Sequence, residues 1–138
     1  MRQSLHRLTV RTAGQGLVEI TGPIRDWIAG QRAGIGLLTV WCRHTSASLL
    51  VQENASPDVR ADLLAFFRRI VPEDAPYRHQ DEGPDDMPAH IKAALTQTQL
   101  CIPVERGEPV LGTWQGIFLF EHRTAPHRRE IVLHLLCD

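Results

Sequence analysis

Strand-forming patterns lie at both ends of this chain, and they restrict its fold more than any other feature. Residues 3–12 alternate in polarity, with Leu5, Arg7 and Thr9 set against His6, Leu8 and Val10. At the other end, residues 110–122 and 130–137 form two long strand runs joined by HRTAPHRR. Shorter strands are predicted at 16–20, 34–42, 47–53 and 100–104, the last followed by a turn at Arg106-Gly107-Glu108-Pro109. A chain that begins and ends in strands closes most simply as an antiparallel sheet.

Helix-start signals interrupt the strands. Thr21 ahead of Pro23 begins one helix, with Ile24, Trp27 and Ile28 on one face. Ser56-Pro57-Asp58 begins a second with a capping hydroxyl, a first-turn proline and an acid near the positive dipole end. Leu63, Leu64, Phe66, Phe67 and Ile70 are its expected buried side. Asp85 or Asp86 caps a third helix, with Pro88 in its first turn and Ile91, Ala94 and Leu95 inward. Strands outnumber helices, so the chain reads as an α+β domain spanning residues 1–138, mainly antiparallel, whose sheet edges oligomerisation would cover.

A chain of 138 residues with 43% hydrophobic and 22% charged residues can build one real core. A net charge of −1 argues against a general nucleic-acid binder. No apolar run is long enough to span a bilayer, and MRQSLHRLTV lacks the apolar stretch of a signal peptide. Cys42, Cys101 and Cys137 are odd in number and far apart, which suits reduced core residues in a cytoplasmic protein.

Four stretches carry chemistry-bearing side chains. HQDEGPDDMPAHIK, residues 79–92, sets His79, Glu82, Asp85, Asp86 and His90 around a bend forced by Gly83-Pro84. Imidazole with carboxylate suits zinc or manganese, carboxylates alone suit magnesium, and a helix start near Asp86 offers free N–H groups to an anion. The same spacing also fits a capped helix with surface histidines. In Arg43-His44-Thr45-Ser46-Ala47-Ser48, hydroxyls beside His44 can hold phosphate oxygens, or simply form a turn. Gly112-Thr113-Trp114-Gln115-Gly116 offers Trp114 to stack on a heteroaromatic ring and Gln115 to bond its edge, or places a core tryptophan at a sheet bend. His122-Arg123 through His127-Arg128-Arg129 carries arginine forks that match phosphate geometry, or a solvated hairpin tip. Together these groups are the kinds needed to bind a divalent metal with a phosphorylated small molecule.

HTSASLLVQENASPDV, YRHQDEGPDDMPAHIK and LGTWQGIFLFEHR closely resemble the YjbQ-like family, also called uncharacterised protein family 47 and secondary thiamine-phosphate synthase. The resemblance covers nearly the whole chain. Departures are mild: Ser56 stands where members often have Asp, and Gln52 where many have Asn. The resemblance implies a β-sandwich or barrel-like sheet with a few helices, a homotrimer, and a polar pocket holding a metal or an anion. It implies a weak thiamine-phosphate synthase activity, joining a pyrimidine methyl diphosphate to a thiazole phosphate with release of pyrophosphate.

Carried onto this chain, His44, His79 and His90 are the expected metal or phosphate ligands, and Glu82 and Asp86 orient them or act as base. His44 and His90 count among the catalytic set with Glu82 and Asp86. Thr45, Ser46, Lys92, Arg128 and Arg129 are expected at phosphate oxygens, and Trp114 and Gln115 at a ring. The expected cofactor is a divalent metal, zinc, manganese or magnesium, and the expected partner a phosphorylated small molecule, with no membrane. A metal-dependent hydrolase of a phosphorylated metabolite, and a non-catalytic trimeric module that binds a metabolite or metal, are the alternatives.

Overall fold

Eight strands and three helices follow one another in the order β1 (Arg2–Thr12), β2 (Gly16–Glu19), α1 (Thr21–Gln31), β3 (Ile35–Cys42), β4 (Ala47–Glu53), α2 (Pro57–Ile70), α3 (Asp86–Leu95), β5 (Gln99–Glu105), β6 (Glu108–Pro109), β7 (Gln115–Glu121) and β8 (His127–Cys137). The structure, a computed structural model, describes residues 1–138. Every strand pairing is antiparallel. One sheet has the order β1-β8-β3-β5-β6 and the other β2-β7-β4. This is the expected α+β arrangement, and no helix is long and apolar enough to cross a membrane.

The two sheets face each other across one core. Leu38, Val40, Ile131, Leu133 and Leu135 from the larger sheet meet Leu49, Ile117 and Leu119 from the smaller, all fully buried. Ile24 and Ile28 of α1 join the same core, as their spacing predicts, with Trp27 partly buried beside them. The other face of the smaller sheet carries Phe118 and Phe120, which lie outside that core. Phe67 of α2 packs edge-on against Phe120 at 5.3 Å, and Arg60 sits over Phe118.

Several expectations are corrected. The strand expected over 110–122 begins only at Gln115. A turn in which Gln115 N–H donates to the Gly112 carbonyl, while Gly112 N–H donates to the Gln115 side-chain oxygen, carries the chain from one sheet to the other. Such a crossover needs a break in the ladder that hydrophobic periodicity does not reveal. The helix α2 buries none of its residues; Phe66 and Ile70 are 43% and 45% exposed, because α2 rests on the sheet through Phe67 alone among its aromatics. Its cap is as expected, with Asp58 N–H donating to Ser56 Oγ at 3.3 Å.

The inward side of α3 is Asp86, Ala89 and Lys92 rather than Ile91, Ala94 and Leu95; Leu95 is 58% exposed. Asp85 precedes this helix but does not cap it, because its carboxylate is engaged by Arg123 and Thr124. The three cysteines are free; Cys42 and Cys137 are buried as expected, whereas Cys101 is exposed. Finally, β8 starts at His127, so HRTAPHRR is part strand.

Candidate functional site

The helix start at Asp86 turns a carboxylate inward, and that orientation builds the site. Asp86 is 2% exposed. Its Oδ2 lies 2.7 Å from His79 Nε2 and 3.3 Å from His90 Nε2. His90 reaches it because residues four apart on a helix share a face. His79 reaches it because the Gly83-Pro84 bend, with Gly83 at φ 99°, folds the loop back over the helix start. The two rings stand edge to face with centroids 5.6 Å apart.

Arg123, just past the end of β7, locks this arrangement. Its Nη1 donates to Asp86 Oδ1 at 2.8 Å, its Nε to Asp85 Oδ2 at 2.9 Å, and its Nη2 to the Glu82 carbonyl at 2.9 Å. Thr124 N–H also donates to Asp85 Oδ2 at 2.9 Å. Burial pushes the Asp85 carboxyl up, but the bonds from Thr124 and Arg123 outweigh it and hold it below its ordinary value. Bonding to Asp85 in turn raises Arg123.

His79, Asp86 and His90 each offer one ligand atom, all within 4.8 Å of one another. Donors of a tetrahedral zinc site at ~2.0–2.1 Å stand roughly 3.4 Å apart, so the cluster is close to the required size. Two imidazoles and one carboxylate fit zinc or manganese better than magnesium, which prefers oxygen alone. Asp86, expected to orient ligands, is therefore the central donor atom of the group.

A cavity of about 670 Å³ adjoins the cluster, lined by Trp41, Arg43, His44, Thr45, Ser46 and His90 among others. The turn between β3 and β4 thus lies beside α3, although the two are far apart in sequence. His44 Nε2 accepts a hydrogen bond from Glu130 N–H at 2.8 Å. Burial, then Arg129, lowers the His44 pKa, which favours the neutral ring. His44 shares the cavity with His90 but does not belong to the His79–Asp86–His90 group. The charge of Arg43 is paired with Glu130, at 2.7 Å.

Other expected site residues lie elsewhere. Glu82 is exposed, and its carboxylate makes no hydrogen bond or ion pair. Trp114, 62% exposed, and Gln115 stand at the opposite end of β7 from Arg123. Seven extended residues separate them by about 20 Å, so one chain does not bring them to the cluster. Arg128 is exposed on β8 opposite Arg11.

Arg129 is 4% exposed and bonds Glu121 through Nε at 2.8 Å and through Nη2. Its Nη2 also donates to Ser46 Oγ at 3.0 Å. The guanidinium therefore ties the two sheets together rather than facing a phosphate. Burial raises the Glu121 carboxyl, but bonds from Arg129 and Thr12 more than compensate and hold it low. Lys92 is buried and lines a different cavity; burial, then Arg68, lowers its pKa.

Asp85, expected beside the cluster or as a helix cap, and Arg123, expected among the arginine forks at a phosphate or on a solvated hairpin tip, instead bond each other behind the cluster. The signal for Arg123 was its place at the end of a buried strand run.

Residues 6–138 match the family described as UPF0047 protein YjbQ-like. The chain is 50% identical over 135 residues to a UPF0047 protein of Synechocystis sp., covering 97% of this chain and 92% of that one. It is 44% identical over 129 residues to the UPF0047 protein YjbQ of Escherichia coli O157:H7, covering 93% and 94%. Its fold superposes with TM-score 0.88 on the crystal structure of an uncharacterised conserved protein of the YjbQ/UPF0047 family from Clostridium acetobutylicum, at 30% identity over 95% of this chain and 99% of that one. The family match from strand β1 to the C-terminal residue, with relatives of nearly equal length, leads to one conclusion: this chain belongs to the YjbQ-like UPF0047 family.

Proposed function

We propose that this protein is an enzyme that holds a divalent transition-metal ion on His79, Asp86 and His90 and acts on a phosphorylated small molecule in the adjoining cavity. The observation that carries this reading is the convergence of two imidazole Nε2 atoms on one oxygen of buried Asp86, whose other oxygen is fixed by Arg123. Two nitrogens and one oxygen leave coordination positions open, as catalytic centres do and structural zinc sites do not. A bound ion supplies Lewis-acid positive charge at the cavity wall, which the chain's isolated −1 net charge does not.

The remaining groups bind and orient. Thr45 contributes a hydroxyl suited to phosphate oxygens, with Ser46 held in place by Arg129. His44, favoured in its neutral form, can accept or pass a proton at the cavity wall. Arg123 acts through Asp86 by holding it in one orientation, as supporting partners of a ligand do.

The resemblance favours transfer chemistry of the thiamine-phosphate kind. There the carbon–oxygen bond to the diphosphate breaks, the thiazole nitrogen forms the new carbon–nitrogen bond, and pyrophosphate leaves with the electron pair. Stabilising that leaving group needs positive charge at the cavity. Hydrolysis of a phosphorylated metabolite would use the same groups with water as the acceptor.

Assembly with further copies, as the implied homotrimer, is supported by the outer face of the larger sheet. The strand register places Leu5, Ile35, Leu37, Trp41 and Leu136 on that one face, and all are at least 36% exposed. Trp41 also lines the cavity, so a neighbouring copy would abut the site.

The test uses protein purified without an affinity tag. Metal analysis is expected to find one zinc or manganese ion per chain, lost in both His79→Ala and His90→Ala while the circular dichroism spectrum is kept. Thiamine-phosphate formation should fall with it. Unchanged metal content in both variants would refute the ligand set; turnover that survives the loss of metal would refute the catalytic role.

A further inference from the structure

We propose a second site, distinct from the histidine cluster: a phosphate-binding cleft between the last turn of α2, the β1–β2 connection and α3, with Lys92 as its buried cation. The cavity is about 200 Å³ and is lined by Gln15, Arg68, Val71, Glu73 and Lys92. It lies behind the helix that carries His90. Two helical residues diverge by about 200°, so Lys92 faces away from His90 and towards the sheet.

Lys92 is the reason to expect a ligand. It is 4% exposed, yet its ammonium group makes no hydrogen bond and no ion pair with any protein group. Buried charges are almost always paired or hydrogen-bonded, because an isolated charge away from water is costly. This one lines the cleft.

The walls are prepared in the same sense. Arg68 Nε donates to Gln15 Oε1 at 3.4 Å, and Gln15 Nε2 donates to the His122 carbonyl at 3.1 Å. The relay fixes the guanidinium while leaving its two terminal nitrogens without a protein partner. An oriented fork beside an ammonium group is a fitting pair for a tetrahedral oxyanion. His122, whose carbonyl holds Gln15, has a buried Nδ1 with no hydrogen-bond partner. The one acid in the wall, Glu73, makes no ion pair with either cation.

The volume falls below the ~300 Å³ at which pockets for larger organic ligands begin. A phosphate dianion is the class that fits, either free or as the end group of a small phosphomonoester.

Calorimetric titration of chelator-treated protein tests this, with inorganic phosphate in one arm and phenyl phosphate in the other. Saturable binding of inorganic phosphate, one per chain, is expected. Binding of phenyl phosphate as well identifies a phosphomonoester site, and its exclusion identifies a site for the free ion. Arg68→Gln should weaken binding roughly tenfold or more, and Lys92→Met should abolish it. Glu73→Gln should tighten it. Arg68 is exposed, so its variant carries the test if Lys92→Met does not fold. His79→Ala and His90→Ala should keep phosphate binding, which separates this site from the metal cluster. No saturable binding in the wild type, or unchanged affinity in both cation variants, overturns the proposal.

Discussion

Replacing His122 with glutamine is expected to flatten the acid limb of the stability curve. His122 is 1% exposed, with Nε2 2.8 Å from Ser48 Oγ and Nδ1 unpartnered. Burial first, and the nearby Lys92 charge second, push its imidazole down from 6.5 to about 3. The folded protein therefore keeps this ring neutral, while the unfolded chain protonates it near 6.5. Between those values the unfolded state binds one more proton, so stability drops as pH drops.

The slope from this residue is about 1.4 kcal/mol per pH unit where the unfolded ring is fully charged. Integrated from about pH 6 to about pH 4 with the two pKa values, the loss is about 2.5 kcal/mol. Glutamine does not titrate, so it removes that loss whatever its effect on absolute stability. The other six histidines contribute alike to both proteins. Urea unfolding followed by tryptophan fluorescence at a series of pH values measures the difference directly. If His122→Gln and wild type lose stability in parallel over this range, the ring is not held neutral and the reasoning is wrong.

Breaking the ion pair between the sheets should be costly in one order and mild in another. Arg129→Met strands the fully buried Glu121 and is expected to lose about 3–5 kcal/mol by urea unfolding, whereas Glu121→Leu with Arg129→Met should recover most of that. Glu121 and Asp85 are both held low, so their stabilisation is complete above their ordinary values of 4.5 and 3.8 and fades as pH falls below them; acid titration by circular dichroism follows it. Arg123→Gln leaves Asp86 without its cation and should cost about 1–3 kcal/mol in chemical denaturation, while Thr124 still serves Asp85. Gly36→Ala places a Cβ 2.6 Å from the Leu136 carbonyl and 2.9 Å from Cys137 Cβ in a strand clamped on both sides, so a loss of about 1–3 kcal/mol in the thermal or urea transition is expected.

How far the sequence could be read varies with how local the cause is. Ser56 ahead of Pro57 caps α2 because a cap needs only neighbours along the chain. The strand Ala47–Glu53 has its expected bounds, and Ile24 and Ile28 face the core because their spacing matches one helical face. Asp85 follows a different logic. A short acid before a helix reads as a cap, yet here a cation from 38 positions away takes its carboxylate. In α3 polar Asp86 and Lys92 face inward and apolar Leu95 faces out, with Asp86 held there by Arg123.

The chain's own pattern determined an α+β, largely antiparallel domain and supplied His79, Asp86 and His90 on one segment, since a bend and an i,i+4 spacing suffice to bring them together. Only the tertiary structure decided that His44 stands on the wall of the adjoining cavity, that Arg123 holds Asp86, that Arg129 is taken up by Glu121, and that Trp114 stands at the other end of β7 from Arg123. The physical reason is that a charged group's role depends on which opposite charge meets it once water is excluded, and the pairing of distant strands settles that.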